Sequence, residues 1–481
     1  MEDKKQTRRN LILFPLGTVG RDMVYSLVTN FLLTFVLFTR SLTAAQLSAI
    51  TAIMVGARIF DALNDPIMGN IIERTRTKWG KFKPWIVIGM FSTSAVIYAA
   101  FNTKLQGWSF VWFFALIYFL YSITYTMGDI SYWGMIPALS SDGDTRNAFT
   151  ARTTLFAGIG GSTSVAYGRI ALAIAFLAPA FLCFVLFGVR ERREDLSEPV
   201  PPVSFKKIWS TISGNDQLIW IAVIFLIHEI GNGVVMSGIG STYIYFEFGY
   251  EGGLYSLFTT VGMSVTALLM VFYPAISRKL PRKKLMGVLV KVATLGYILM
   301  ISMLAMRAGE HFALGMDLKF LILTVGYMLA NFGQYGFYLI LMISVINTVE
   351  YNEYLLGTRD EGIITSLRPF LTKLASALTV VIASATYMLA GVTKYTNQIS
   401  AFENAAASGQ ISESDKLASI RELLGGVSHS QSVGLLLVMT VLPYALMVLS
   451  YEMYLRRYKL DEEEYDRICG ELNARRESRS V

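Results

Sequence analysis

Charge and cysteine are both scarce in this chain. Charged side chains make up 16% of its 481 residues, against about 25% in an ordinary soluble domain. Two cysteines, Cys183 and Cys469, exclude a disulfide scaffold and a thiolate zinc site. The three histidines, His228, His311 and His429, stand far apart in sequence and form no catalytic or metal-binding set. What the chain has in excess is apolar surface: 53% of residues are of the AVILMFWYC set, and the mean hydropathy is +0.48. One water-soluble core cannot bury that much, so a soluble enzyme, a disordered chain and a collagen-like fibre are excluded.

The apolar residues fall in blocks, and a helix needs about 20 of them to cross a bilayer. Twelve blocks are expected to be membrane helices: 11–38, 45–72, 85–101, 109–138, 148–167, 170–189, 216–247, 254–276, 285–306, 319–347, 362–391 and 431–455. The first follows a charged head, Met1–Asn10. It has no small-residue cleavage site and exceeds a signal peptide's apolar core, so it is expected to remain as a membrane helix.

Lys and Arg alternate between rich and poor loops, which orients the helices. Lys4, Lys5, Arg8 and Arg9 precede block 1, and Arg74, Arg76, Lys78, Lys81 and Lys83 follow block 2. Arg190, Arg192, Arg193, Lys206 and Lys207 lie between blocks 6 and 7, and Arg278, Lys279, Arg282, Lys283 and Lys284 between 8 and 9. The intervening loops hold little beyond Arg40, Lys104 and Arg169. The expectation is an all-α protein of twelve transmembrane helices, multi-pass in the inner (cytoplasmic) membrane, with both termini cytoplasmic. The +7 net charge is then a topology signal. A nucleic-acid patch is disfavoured, because the charges are split among loops of one sidedness.

The chain divides in two. Residues 191–215, rich in proline, serine and charge, read as a cytoplasmic linker between bundles 1–190 and 216–455, with 456–481 a cytoplasmic tail. Gly69–Lys83 is echoed by Pro274–Lys284. Two similar six-helix halves point to the major facilitator architecture, whose site lies near the midplane. The polar loop 392–430 is expected to be external, with a short helix at Ser414–Leu424.

Ionisable residues inside a membrane block are costly, so each should face a partner or an aqueous cavity. Block 1 has Arg21 and Asp22; block 2 has Arg58, Asp61 and Asp65; block 4 has Asp129; block 5 has Arg152. Block 7 has His228 and Glu229, and block 11 has Arg368 and Lys373. The acids of blocks 1, 2 and 4 accumulate in one bundle, which fits a polar cavity better than isolated ion pairs. Asp61 and Asp65 are i,i+4 and share a helix face with Asn64 beside them. Two carboxylates and an amide oxygen make a hard-oxygen site for a small cation. The competing reading pairs these acids with Arg58 or Arg21, but one base does not easily satisfy both. Pro66 has no N–H, which frees the Ala62 carbonyl and gives the helix a place to kink. In block 4, Tyr125, Asp129 and Trp133 form an i, i+4, i+8 stripe. A carboxylate accepts hydrogen bonds from vicinal hydroxyls and an indole offers a flat apolar face, a pairing suited to a sugar ring. Thr126, off that stripe, is placed to offer the cation a hydroxyl. His228 reads as a satisfied polar residue rather than a cavity-lining one.

The stretch FDALNDPIMGNIIERTRTKWGKFKPW (Phe60–Trp85) resembles the signature of the glycoside–pentoside–hexuronide:cation symporters, the melibiose-permease-like branch of the major facilitator superfamily. Further resemblance lies in GRDMVYS, YTMGDISYWGMIP, NTVEYNEYLLGTRDEG, the Lys373 region and YKLDEEEYDRICGEL, nearly the whole chain. The resemblance implies cation-coupled sugar symport without a cofactor. It implies a cation site at Asp61, Asn64, Asp65 and Thr126. Na⁺, Li⁺ and H⁺ can use similar carboxylates, and the Asn64–Thr126 pair favours Na⁺ over a proton, which needs no extra oxygens. It implies a sugar site at Arg21, Asp22, Tyr125, Asp129, Trp133 and Arg152, with Arg58 and Lys373 in coupling. Arg21 stands where the family usually has lysine, and arginine has a different reach.

The family tends to have aspartate where Asn347 stands, in a cytoplasmic cluster with Glu350, Glu353 and Arg359. Asn347 is expected to weaken that gate. Glu73, Arg74 and Arg76 are placed for gating ion pairs, though positive-inside anchoring explains them equally well. From Asn147 to Arg190 is 44 residues, short for two spans and a turn at Gly168–Arg169. The expected mechanism is alternating access, in which cation and sugar strengthen each other's binding equally. A monomer suffices, and the ligands are a sugar, a monovalent cation and membrane lipid. A lysolipid carrier would keep the cation acids and lose the Asp129–Trp133 stripe. A pure channel would not need two halves.

Overall fold

The computed structural model describes residues 2–139, 149, 152–153, 156, 169–189, 205–250, 252–277, 279–305, 317–358 and 360–479. These are almost entirely helical. Helix α1 is Glu2–Ser26, and a π turn, Leu27–Phe31, joins it to α2, Leu32–Thr39. Then come α3 Ala44–Arg74, α4 Lys83–Asn102, α5 Gly107–Leu139, α6 Arg169–Gly188, α7 Phe205–Gly214, α8 Asp216–Val234 and α9 Ile239–Phe248. The chain continues with α10 Gly252–Ser277, α11 Arg282–Ser302, α12 Leu318–Leu356, α13 Glu361–Leu389, α14 Val392–Ala407, α15 Glu413–Gly425, α16 His429–Arg457 and α17 Glu462–Arg479. Among the described residues nine helices are long and apolar enough to cross a membrane. The chain is therefore an all-helical, multi-pass membrane protein.

Eleven of the twelve expected blocks coincide with these helices. The fifth, 148–167, lies mostly outside the described residues. Three differences from expectation stand out, and the first two turn on glycines in the left-handed region. Block 7 is broken, because Gly238 adopts φ +102° after a 3₁₀ turn at Val235–Ser237 and restarts the helix. Block 10 runs nine residues further than its apolar pattern. Its polar end stays helical to Leu356 and closes on Gly357 at φ +70°, whose N–H reaches the Glu353 carbonyl. The polar segment after block 11 holds two helices, α14 and α15, where one was expected. Helix α3 stays helical through Pro66.

The residues group into two compact units. Unit 1 takes Met1–Pro202, Tyr250–Ser256 and Tyr387–Val427; unit 2 takes Val203–Gly249, Leu257–Thr386 and Ser428–Val481. In unit 1, α5 packs against α3 and α4, α6 against α1 and α4, and the α14–α15 hairpin against α2. A Cβ on Gly89 would lie 2.5 Å from the Gly128 backbone nitrogen, so this glycine is what lets α4 and α5 touch. Asn397 ties the hairpin down: its amide accepts from Leu42 N and donates to Leu42 O, both at 2.8 Å.

In unit 2, α12 packs against α8 and α11, and α16 against α8, α9 and α11. Gly296 of α11 is as crowded as Gly89, with a Cβ position 2.4 Å from Ala330 N. The end of the predicted linker is the amphipathic helix α7. Its Lys207 and Thr211 meet Asp360 at 2.7 and 2.9 Å. Burial opposes the charge on Asp360, but hydrogen bonds from Lys207, Thr358 and Thr211 hold its carboxyl below the usual carboxylate range. The tail helix α17 docks through Arg282–Glu462 and Lys283–Asp461, each at 3.0 Å.

Candidate substrate and cation site

The charged interior of unit 1 is built by α1, α3 and α5. Arg21 is buried and bridges two acids: Nη2 to Asp22 at 2.7 Å and Nη1 to Asp129 at 2.9 Å. Thr18, one turn before Asp22, donates to it at 2.8 Å. The guanidinium sits 4.9 Å from the Trp133 ring centre and 5.3 Å from that of Tyr132. Such a position favours a cation over the ring face. Asp22 is 15% exposed and Asp129 33%. Asp129 thus keeps access to a ligand while Arg21 holds it in place. Tyr125 stacks between Tyr25 and Tyr121, at 5.8 and 5.4 Å between ring centres. A planar donor–acceptor cluster flanked by aromatic faces has the makings of a polyol site.

Next to it, α3 and α5 lie in constant register. Asp61 accepts from Ser122, and Asp65 accepts from Thr126 at 3.3 Å; both pairs are 61 residues apart. Because 61→65 and 122→126 are each one helical turn, two parallel helices bring two carboxylates against two hydroxyls. Arg58 Nη1 stands 3.8 Å from Asp61. Asn64 lies on α3 between the two acids, and its Nδ2 is buried without a hydrogen-bond partner among the described residues. Carboxylate and hydroxyl oxygens with one amide are hard ligands, suited to a small cation. A separate small apolar pocket, lined by Val28, Leu32, Phe101, Phe114, Tyr118 and Tyr121, offers no such chemistry.

Eight of the expected residues therefore meet in two adjoining groups: Arg21, Asp22, Asp129 and Trp133, then Arg58, Asp61, Asp65 and Thr126. Tyr125 and Asn64 lie beside them. Arg152 does not join. It is exposed and donates to the Leu11 carbonyl at 3.2 Å, ten residues and so about 15 Å along α1 from Arg21. Lys373 lies half-buried on α13, in unit 2. The Glu73 side chain and Arg359 are outside those described, and Arg74 is exposed at the end of α3.

Glu350 is hydrogen-bonded by Tyr465 of α17. Burial, with Glu350 and Cys469 adding to it, pushes that phenol up. Glu353 lies one turn further along α12. Asn347 does not leave its neighbour Arg282 unpaired. In the amide orientation that satisfies both groups it accepts from Arg282 and donates to the Ile343 carbonyl. Three contributors were not singled out from sequence: Ser122, Thr18 and Tyr132. The first two carry a signal, since each sits one turn from a named residue on the same face.

Paired acids and bases on apolar, membrane-crossing helices fit a membrane carrier. A family profile described as MFS/sugar transport protein matches residues 13–462. The chain belongs to this family, and within it to the glycoside–pentoside–hexuronide symporter group; it is a transporter, not an enzyme. It is 25% identical to a lactose permease of Lactobacillus helveticus, over 96% of this chain and 71% of that one. It is 27% identical to a raffinose carrier protein of Pediococcus pentosaceus, over 79% of this chain and 62% of that one. Its fold is similar to that of a bacterial homologue of the human lysosomal transporter Spinster, at TM-score 0.59 and 11% identity, over 95% and 99% of the two chains.

Proposed function

We propose that the protein is a cation-coupled sugar symporter, carrying a glycoside or related sugar with Na⁺ or H⁺ by alternating access. The observation that carries this reading is the paired register of α3 and α5, which presents Asp61 with Ser122 and Asp65 with Thr126. In the proposal the cation sits among Asp61, Asn64, Asp65 and Thr126, where it relieves the repulsion between two neighbouring carboxylates. The sugar binds at Asp22, Tyr125, Asp129 and Trp133, held in geometry by Arg21. Arg152 is kept in the sugar set on the family pattern alone. Arg58, already near Asp61, and Lys373 link cation occupancy to sugar binding. Glu73, Arg74, Glu350, Glu353 and Arg359 serve the cytoplasmic gate.

The surrounding architecture in this reading is twelve helices in two six-helix bundles, 1–190 and 216–455, joined by the 191–215 linker. Residues 456–481 form a cytoplasmic tail, and both termini are cytoplasmic. The protein works in the inner membrane, and one copy is enough. The names of the relatives support a disaccharide or trisaccharide as substrate.

Thermal unfolding in detergent tests the cation site without knowledge of the sugar. K⁺ is replaced by Na⁺ at fixed ionic strength. A ligand at 100 times its Kd adds about 2.7 kcal/mol. A Na⁺-specific rise in Tm that disappears in Asp65→Ala supports the reading. A rise that persists in Asp65→Ala and Asp61→Ala refutes the assignment of those residues. Uptake of lactose or raffinose into proteoliposomes then separates a sugar carrier from a lysolipid carrier.

A further inference from the structure

Glu229 and Arg368 of unit 2 play no part in the mechanism above. Glu229 lies within the membrane-crossing segment Asp216–Phe248. Its Oε1 is buried with no hydrogen-bond partner among the described residues. Asn232, one turn on, hydrogen-bonds the carboxylate, and the charge of Arg368 on α13 acts on it. Arg368 Nη1 in turn donates to the Tyr338 hydroxyl of α12 at 2.9 Å. Tyr335, whose ring lies 5.5 Å from that of Tyr338, is near both Glu229 and Arg368. Among the described residues, Arg368 is the charged group that acts on Glu229, and Lys373 lies five residues further along α13. Helix α16 presents Pro443 and Leu446 to Gly231. His228 turns away, with Nε2 3.1 Å from the Gln334 carbonyl and its ring against Phe337. The turn Val235–Ser237 has no ionisable residue.

We propose that Glu229 is a second ion-exchanging site, which takes up a proton from water and returns it during the transport cycle, separately from the Asp61–Asp65 locus. An ionised carboxylate inside the membrane has lost its hydration, and an orphaned oxygen adds to the cost. Protonation removes the charge and makes one oxygen a donor. The Arg368 charge favours the ionised form, and Tyr338 helps to set where that charge sits. A small displacement of the guanidinium between Tyr338 and Glu229 therefore changes which protonation state is preferred. That is the two-state element needed to link a proton to a conformational change. The transport half of this proposal rests on the cation-coupled reading above; the protonation half does not.

The probe is the proton. Infrared difference spectra of the purified full-length protein are recorded through a pH titration, for wild type, Glu229→Gln, Glu229→Asp and Tyr338→Phe. The expected result is a carboxylic-acid carbonyl band that titrates in wild type, is lost in Glu229→Gln and changes frequency in Glu229→Asp. Tyr338→Phe moves its midpoint. Should the glutamine variant not fold, the aspartate variant and Tyr338→Phe read the same group. Spectra of the Glu229 variants that superimpose on wild type throughout overturn the proposal. In proteoliposomes, Glu229→Gln should flatten the pH dependence of lactose or raffinose uptake, and an unchanged pH profile overturns the coupling role. If neither sugar is carried while the band is lost in Glu229→Gln, the sugar reading fails and the proton site stands.

Discussion

Unit 1 brings α4 against α5 at Gly89, and unit 2 brings α11 against α12 at Gly296; in each case a Cβ would collide with the facing backbone. The four helices occupy matching places in the two halves of the chain, third and fourth blocks in one, ninth and tenth in the other. The backbone device is shared, but the interiors differ. Unit 1 buries Arg21 between Asp22 and Asp129 and sets Arg58 against Asp61. Unit 2 carries neutral polar groups on its spans, such as Gln334 on Tyr297, with Glu229, Arg368 and Lys373 among them. Helix packing tolerates either filling, because it depends on small residues at crossings and not on what the other faces carry. The difference in charge is what makes unit 1 the candidate for ion and sugar binding.

That contrast is easiest to break at Arg21. Arg21→Ala leaves Asp22 and Asp129 without their shared cation, and loss of one partner from a buried ionic group costs about 3–5 kcal/mol. Thermal unfolding of Arg21→Ala and Gln334→Met should therefore differ clearly, with the arginine variant much the less stable. Equal losses would mean that unit 1 does not rely on charge.

The shared device is tested by Gly89→Val and Gly296→Val. Overpacking at a tight crossing costs about 1–3 kcal/mol or more, so both variants should lower Tm by similar amounts. A loss confined to one of them would show that the two crossings are not equivalent.

The smallest effect belongs to Asp360, outside the membrane, whose folded carboxyl lies below its unfolded value of about 3.9. Its contribution to stability is present above that pH and is lost as the pH falls through the lower folded value. Asp360→Asn should cost under about 1 kcal/mol at neutral pH, since the partner Lys207 is partly exposed. The gap from wild type should close on acidification below about pH 4. A gap that stays constant over that range would remove the charge from the explanation.

Much of this was legible in the chain. A run of about 20 apolar residues has few fates besides crossing a membrane, so eleven of the twelve blocks fall on described helices, while polar ends such as residues 2–10 and 348–356 extend the helices beyond the apolar pattern. The acids at 61 and 65, and the stripe at 125, 129 and 133, share faces by helical period alone. The break at Gly238 was not legible, because an apolar block reads the same whether or not a glycine inside it turns left-handed. Nor was the polar segment 387–427 expected to fold onto unit 1, since its attachment depends on Asn397 and Asn404 finding the Leu42 and Thr39 backbone.

Composition and periodicity settle the class of protein and which residues can share a helix face, because both follow from the chain's own geometry. Which hydroxyl meets which acid is a different matter. Ser122 with Asp61, Thr126 with Asp65, Arg21 across to Asp129 and Arg152 away at Leu11 depend on how one helix is rotated and shifted against another. That offset comes from the packing of whole faces, glycine against backbone and ring against ring, and only the folded structure decides it.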